Sequence, residues 1–169
     1  MVEWLYFDLY IKKLEMIKKL RINKNDSLDI YYWREYKYNP CWFKFKILLC
    51  SRFNYKSYYI RINQKCYYLH RVVYKAYNEK WDIDDIGKLN KIDHINRNSL
   101  DNRIDNLRIV SSQENSFNTN AKGYSWDKKG NKWHAELMFN GKKVLSKRFD
   151  KEEDARESYL KAKEVYHKI

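Results

Sequence analysis

The sequence predicts an α+β fold, in which a ββα unit is followed by a three-stranded antiparallel sheet packed on one helix. Three observations support this prediction. Apolar residues alternate along several short segments, an S-x-x-E capping box marks a helix start at Ser111, and Asn-Gly at 140–141 marks a tight hairpin. We divide the chain into regions 1–56, 57–120 and 121–169.

The first region has two predicted elements and no assigned role. Residues 43–47 alternate between apolar residues and lysines, which predicts a strand, and residues 22–42 are rich in tyrosine and stay unassigned. Near the N-terminus, apolar residues recur at helical spacing, and the resulting amphipathic helix is expected to pack against the rest of the protein rather than to bind a partner. They are Trp4, Phe7, Ile11, Leu14 and Ile17.

The second region begins with a predicted hairpin. Its strands are Ser57–Ile62 and Lys65–Leu69, and they turn at Asn63–Gln64. A short helix is predicted from His70 to about Tyr77, and an acidic loop follows it.

A ββα unit completes this region. Lys91–His94 predicts a short strand, Asn96–Asn106 a polar loop and Leu107–Val110 a second strand. The capping box at 111–114 then starts a helix, which places Asn115 in its first turn.

The third region predicts a separate small module. Strands are expected at Gly123–Asp127, Lys132–Phe139 and Lys142–Phe149. A helix capped by Asp150 and Glu153 follows them, and Asn-Gly joins the last two strands through a type I′ turn.

The charge of the chain favours a polyanionic partner. The 35 Lys and Arg residues exceed the 22 Asp and Glu residues, for a formal net charge of +13. Residues 1–60 carry 12 basic and 6 acidic side chains, residues 121–169 carry 13 and 8, and residues 61–120 carry 10 and 8. Basic flanks around a nearly balanced centre suit a nuclease, because phosphate binding needs cations and metal binding needs carboxylates.

The lack of a recognisable targeting signal and the pattern of the cysteines predict an intracellular protein. No segment is apolar enough to span a bilayer, and the N-terminus lacks the shape of a signal peptide. The three cysteines form no CxxC pair, so we expect reduced thiols and no structural zinc. Residues with AT-rich codons are abundant, which is typical of a virus or phage.

Residues suited to phosphodiester hydrolysis cluster in one stretch. Hydrolysis needs a base to deprotonate water and a cation to stabilise the phosphate, and histidine, carboxylate and amide oxygens can supply the base and the ligands for Mg²⁺ or Mn²⁺. The alternative is that the asparagines only form turns in a polar loop. The stretch contains Asp93, His94, Asn98, Asn102, Asn106, Asn115 and Asn118.

The segment "LHRVVYKAYN…KIDHINRNSLDNRIDNLRIVSSQEN" resembles the HNH (His-Me finger) endonucleases, especially the phage-intron homing enzymes with an HNN variant. The resemblance covers roughly His70 to Asn118 and implies a ββα-metal fold. It implies that His94 is the general base and that Asp93 and Asn115 ligate a single Mg²⁺ or Mn²⁺. It further implies that Asn106 braces the loop and orients the base.

The last region, "GYSWDKKGNKWHAELMFNGKKVLSKRFDKEEDARESYLKA", resembles an APETALA2/ERF-type DNA-binding domain, whose sheet lies in the major groove. Ser125 and Met138 stand where that family usually has arginines. The alternative is a charged sheet face exposed to solvent. The residues expected to contact DNA in the two modules are Arg71, Arg97, Arg103, Lys128, Lys129, Lys132, His134, Glu136, Lys143 and Lys147.

The leading hypothesis is therefore an endonuclease that nicks or cleaves double-stranded DNA as a monomer, without a membrane or small-molecule cofactor. A second hypothesis is a non-catalytic DNA-binding regulator that uses the C-terminal sheet. A third is a structured-RNA binder whose many tyrosines stack on bases.

Overall fold

The chain divides into two compact units, Met1–Ile109 and Val110–Ile169. The predicted boundary lay near residue 120, so the capped helix that begins after Ser111 belongs to the second unit. The computed structural model describes residues 2–11, 16–35, 37–52 and 55–167.

The first unit opens with a four-stranded antiparallel sheet in which the strands neighbour each other in chain order. Its outer face carries Arg21, whose guanidinium lies 4.3 to 4.9 Å from the rings of Trp4, Tyr31 and Trp42. The strands are β1 (Trp4–Ile11), β2 (Met16–Asn23), β3 (Asp26–Arg34) and β4 (Cys41–Lys44).

The prediction of an N-terminal helix is wrong, because the side chains of β1 alternate between two faces. Phe7 and Leu9 are 6% and 0% exposed, whereas Tyr6 and Tyr10 are 55% and 48% exposed. A two-residue period buries one face of a strand, so the helical spacing of the apolar residues was misleading. Leu14, which belonged to that pattern, lies outside the described residues.

A second sheet and a helix complete the core of the first unit. The order is β5 (Leu48–Arg52), β6 (Tyr55–Ile62), β7 (Lys65–Tyr68) and α1 (Leu69–Tyr77). The predicted hairpin and helix are confirmed, whereas the strand predicted for residues 43–47 ends at Lys44.

The β6–β7 turn and the buried face of α1 explain why these elements form. Asn63 and Gln64 have φ values of 46° and 69°, which are the left-handed values that a type I′ turn requires. The apolar side of α1 packs into the same buried cluster as the inner face of β1–β3 and the strand β6. The helix contributes Leu69, Val72, Val73 and Ala76 to this cluster.

The two strands that carry the candidate site pair with each other. They are β8 (Lys91–His94) and β9 (Leu107–Val110), with the predicted bounds. A 3-10 turn at Ile104–Asn106 leads from the intervening loop into β9.

The second unit contains α2 (Ser112–Phe117) and a three-stranded antiparallel sheet backed by one helix. Ser111 caps α2 and forms the predicted reciprocal capping box with Glu114. The sheet strands are β10 (Tyr124–Asp127), β11 (Lys132–Phe139) and β12 (Lys142–Phe149), and the helix α3 spans Glu152–Tyr166.

The core of this unit joins α2 and α3 to the sheet. Ala135 and Leu137 are buried against α3, as predicted, together with Tyr159 of that helix. The Phe117 ring of α2 stacks on His167 at 3.9 Å between centroids and packs on Phe139 at 6.0 Å. These ring contacts explain why the capped helix belongs to the second unit.

The start of α3 differs from the prediction. Its N-cap is Lys151, and no side chain caps the helix, so the capping role assigned to Asp150 and Glu153 is wrong. Asp150 instead forms an exposed ion pair with Lys132 at 3.1 Å. Three acidic residues in the first turn still stabilise the helix, because their negative charges lie at the positive end of its dipole. None of the described helices is long and apolar enough to cross a lipid bilayer.

Candidate active site and nucleic-acid interface

Two candidate catalytic residues stand at the end of β8, and both are buried. Asp93 and His94 are 7% and 8% exposed. His94 Nε2 lies 3.0 Å from Asn102 Oδ1. An amide oxygen only accepts hydrogen bonds, so His94 Nε2 donates and Nδ1 carries the lone pair of the neutral ring. This contact selects the tautomer that a general base needs.

A second imidazole packs beside this ring. His70 of α1 meets His94 edge to face, with 5.2 Å between ring centroids, and stacks on Tyr68 at 5.7 Å. Burial lowers the pKa of His70 to about 3, and repulsion from His94 and Arg71 adds to this effect. His70 is therefore uncharged at neutral pH and cannot compete with His94 as the base.

The carboxylate of Asp93 is held by a neighbour that the sequence reasoning missed. Arg108 of β9 donates to Asp93 Oδ2 from Nε at 2.9 Å and from Nη2 at 2.8 Å. The pair is partly buried, with side-chain exposures of 8% for Asp93 and 27% for Arg108. Opposite charges on the two predicted strands were the available signal, because neighbouring strands bring such residues together.

Asn106 braces the loop between β8 and β9, as expected. Its Oδ1 accepts from the backbone N–H of Asn96 at 2.9 Å, and its Nδ2 donates to Asn96 Oδ1 at 3.0 Å and to the carbonyl of Asp101 at 2.7 Å. The loop is closed by the backbone bond from Ile95 to Asn106, at 2.9 Å. The imidazole of His94, however, meets Asn102, so bracing and orienting are divided between two asparagines.

The alternative interpretation, that the asparagines form turns, holds for part of the loop. Asn96 Oδ1 accepts from the backbone of Asn98, and Asn98 Oδ1 accepts from the backbone of Leu100, two residues on in each case. These are Asx turns. Asn102, by contrast, is 2% exposed and reaches an imidazole eight residues away.

Replacing Asn102 tests whether it positions the base. The change Asn102→Leu removes the acceptor, so the ring can turn or change tautomer. For the nuclease reaction that the sequence predicts, we expect kcat to fall by roughly 10- to 100-fold with little change in KM. Asn102→Asp keeps an acceptor oxygen and should retain more activity. If both variants lose activity only in proportion to a loss of folded protein in thermal unfolding, the positioning role is wrong.

The predicted metal ligands are one carboxylate and one amide, Asp93 and Asn115. Asn115 lies in the first turn of α2, where its backbone N–H donates to the backbone carbonyl of Ser111 at 2.9 Å. Asp93 lies in the first unit and Asn115 in the second, so their joint ligation of an ion stays a prediction. Within the described ranges, no group of three or more His, Cys, Asp and Glu side chains could hold a metal. A lone carboxylate with amide oxygens is a hard donor set, which fits Mg²⁺ or Mn²⁺ better than zinc.

The guanidinium of Arg71, a predicted DNA contact, is hydrogen-bonded to backbone carbonyls of the first unit. It donates to the carbonyls of Ile83, Asp85 and Asn90, with the shortest bonds at 2.7 Å. It also lies over the Trp81 ring, 4.6 Å from the centroid. Its donors are thus directed at the loop that precedes β8 and not at a ligand.

Arg71→Ala should therefore destabilise the first unit. Three carbonyls would lose a charged donor, and we expect the free energy of unfolding to fall by roughly 2–4 kcal/mol. Urea unfolding measures this change. Arg103→Ala is the matched control, because the Arg103 side chain is 75% exposed and pairs with Asp101 at the surface. Equal stability of the two variants would contradict the anchoring role of Arg71.

Two further arginines lie on the β8–β9 loop. Arg97 is exposed and adopts a φ of 63°. Its backbone N–H donates to the backbone carbonyl of His94 at 2.8 Å. Arg103 donates to Asp101, and this bond is the main cause that lowers the pKa of Asp101 to about 2. Both arginines remain candidates for phosphate contact on the exposed side of the loop.

The outward face of the C-terminal sheet carries residues on all three strands. His134 pairs with Ser125 on one side and with Arg148 on the other, and Glu136 pairs with Ser146. His134 Nε2 lies 3.1 Å from the hydroxyl of Ser146.

The predicted position of Lys147 on this outward face is wrong. The register shifts between Leu137 and Met138, so Lys147 pairs with Ala135, which is fully buried against α3. Cross-strand partners share a face, and this bulge exchanges the faces of the residues beyond it. Arg148 therefore stands on the outward face in place of Lys147, and its Nε pairs with Asp127 at 3.1 Å.

The remaining predicted DNA contacts lie around this sheet. Lys128 and Lys129 are exposed in the β10–β11 turn. Lys132 pairs with Asp150, and Lys143 donates to Glu136 at 2.8 Å. The positive charge of Lys143 thus compensates the Glu136 carboxylate on the sheet surface. This hydrogen bond lowers the pKa of Glu136.

The site region matches known proteins. Residues 67–117 match a family model described as HNH endonuclease. The uncharacterized HNH endonuclease L560 of Acanthamoeba polyphaga mimivirus is 36% identical over 105 residues, or 58% of this chain and 52% of that protein. Protein 3.8 of Escherichia phage T7 is 37% identical over 59 residues, or 30% of this chain and 49% of that protein. The chain spans about half the length of both relatives, and no solved structure matches it.

Proposed function

We propose that this chain is a metal-dependent endonuclease that nicks or cleaves double-stranded DNA at preferred sites, as homing enzymes do, and that a virus or phage encodes it. The observation that supports this most directly is the buried His94 imidazole, hydrogen-bonded to Asn102 within the segment that matches HNH endonucleases. The viral sources of both relatives support the proposed origin.

In the proposed reaction, His94 takes a proton from water. Asn102 accepts a hydrogen bond from the N–H at Nε2, so the proton of the neutral ring stays on that nitrogen. The lone pair on Nδ1 then accepts the proton of the attacking water. His70 packs on one side of the ring and limits its rotation. The water oxygen bonds to phosphorus as the bond from phosphorus to the 3′ oxygen breaks, and the departing oxygen takes a proton from solvent, which leaves 5′-phosphate and 3′-hydroxyl ends.

Asp93 would hold the divalent ion, and the sequence predicts Asn115 as its second protein ligand. When bound, Mg²⁺ or Mn²⁺ would stabilise charge on the phosphate and on the leaving oxygen. Arg108 already donates twice to Asp93, so it fixes the position of the carboxylate. With only one negative ligand, we expect weak metal affinity.

The second unit would contact the DNA duplex through the outward face of its sheet, in the manner of the APETALA2/ERF-like module that its sequence resembles. His134 and Arg148 lie on that face, and Lys128 and Lys129 flank it. Arg148 supplies the kind of side chain that recognises guanine in a major groove.

Plasmid nicking tests the activity. Supercoiled plasmid incubated with the full chain should convert to the open-circle or linear form with Mg²⁺ or Mn²⁺, and EDTA should stop the conversion. Ligation of the nicks without prior end repair should succeed, because 5′-phosphate and 3′-hydroxyl ends are expected. No conversion at any metal concentration would overturn the proposal.

A non-catalytic DNA-binding regulator is the second candidate. The Arg108–Asp93 ion pair favours it, since the guanidinium already compensates the charge of the carboxylate without a metal. This candidate predicts site-specific binding in gel shifts with no metal-dependent cleavage. Competition of labelled duplex by unlabelled RNA separates both candidates from an RNA binder.

A further inference from the structure

A basic cavity lies in the first unit, where the first and second sheets meet. Its volume is about 440 Å³, within the range of pockets that bind small ligands. Strands β2, β3 and β4 line one side, and β5 and β6 with the Asn63 turn line the other. None of its residues belongs to the segment 67–117 that matches HNH endonucleases.

The lining of this cavity has a strong excess of positive charge. No Asp or Glu is among the described residues that line it. Lys44 is neutralised by Asp29 at 2.6 Å, but none of the described carboxylates pairs with Lys46 or Arg61. Like charges that converge on one cavity repel each other, and a bound anion removes that cost. Its five cationic residues are Lys18, Arg34, Lys44, Lys46 and Arg61.

The cavity wall also carries two aromatic rings. Tyr32 and Phe45 lie 4.7 Å apart between centroids and are both partly exposed. Lys18 Nζ is 5.1 Å from the centre of the Tyr32 ring. Cations next to accessible rings are the combination that binds a phosphate and the base or sugar attached to it. Sulfate or a lipid headgroup has no base or sugar to pack against these rings.

We propose that this cavity binds the sugar-phosphate backbone of the nucleic-acid substrate, at a position distinct from the cleaved bond. The proposal rests on the proposed function for the identity of the polyanion. Lys46 and Arg61 are exposed at the rim and hold phosphates, and Tyr32 and Phe45 contact the attached nucleotide. The site gives a role to the N-terminal sheet, which lies outside the HNH segment.

Salt-dependent binding tests the proposal without catalysis. Affinity for a fluorescein-labelled DNA duplex is measured by anisotropy in EDTA over a series of salt concentrations. The double variant K46Q/R61Q should weaken binding at least about fivefold and reduce the slope of log Kd against log salt by about 1 to 2, because each phosphate contact contributes about 0.9. If the double variant does not fold, each single variant should lower the slope by about 0.9.

The control removes the same two charges elsewhere in the first unit. Lys37 and Lys88 are exposed and do not line the cavity, so K37Q/K88Q should leave the slope close to that of the wild type. Equal slopes for the two double variants would overturn the proposal. So would binding of free mononucleotide at the cavity with an unchanged DNA slope. Plasmid nicking by the wild type is scored separately, so an inactive chain that still shows the slope change would refute the nuclease and not the cavity.

Discussion

Replacing His94 with alanine should lower the rate of plasmid nicking by roughly 10²- to 10⁴-fold, the usual contribution of a general base. His70, the other described imidazole of the first unit, cannot take over, because its pKa is lowered to about 3. The loss should appear in kcat, since His94 is buried and contacts Asn102 and His70 rather than an exposed surface.

Asn98→Ala is the matched control for this variant. Asn98 lies on the same loop and is exposed, and its side chain accepts only a local bond from the backbone of Leu100. We expect its nicking rate to stay within about threefold of the wild type, since losing a single exposed turn contact costs little. Far-UV circular dichroism and duplex binding in EDTA show whether His94→Ala is folded. Equal nicking by His94→Ala and the wild type would exclude His94 as the base.

Gly123→Ala should unfold or severely weaken the second unit. Gly123 has a φ of 68°, and a Cβ there would lie 1.9 Å from the ring of Tyr159, which is only 6% exposed. The left-handed backbone costs about 1 kcal/mol or more, and overpacking the core adds about 1–3 kcal/mol. The free energy of unfolding of this unit should therefore fall by roughly 2–4 kcal/mol.

Gly141→Ala separates the two costs. Gly141 has a similar φ of 73°, but no atom lies within 4 Å of a Cβ built there. Its variant should lose only about 1 kcal/mol. The difference between the two variants in urea unfolding, followed by tryptophan fluorescence, measures the clash with Tyr159. If both lose the same stability, the packing of Gly123 on α3 is wrong.

Local chemistry explains which elements the sequence could predict. The β6–β7 and β11–β12 turns have residues that tolerate positive φ, and the helix at Ser111 begins with a reciprocal capping box. These signals lie within a few residues of each other, so no knowledge of the fold is needed. The strands on either side of the β8–β9 loop were predicted with the bounds that the structure shows.

Features that depend on distant partners could not be predicted in this way. The N-terminal segment satisfies both a helical and an alternating pattern, and pairing with β2 selects the strand. The bulge after Leu137 reverses the face of Lys147, and it depends on how β11 and β12 pair. The contact of His94 with Asn102 and that of Asp93 with Arg108 depend on how the loop and strands close. Residue types predicted the candidate site, but the tertiary fold decides each residue's partner.

The hydrogen bonds around Asn106 decide at which stage the β8–β9 loop loses its backbone entropy. Fixing one residue of a polar loop costs about 1–2 kcal/mol of backbone entropy. In this chain, side-chain bonds among Asn96, Asp101 and Asn106 meet that cost during folding, before any substrate arrives. Binding then needs little further ordering of the loop. Substitutions in the network should therefore act on the population of the competent state more than on the intrinsic barrier of the chemical step.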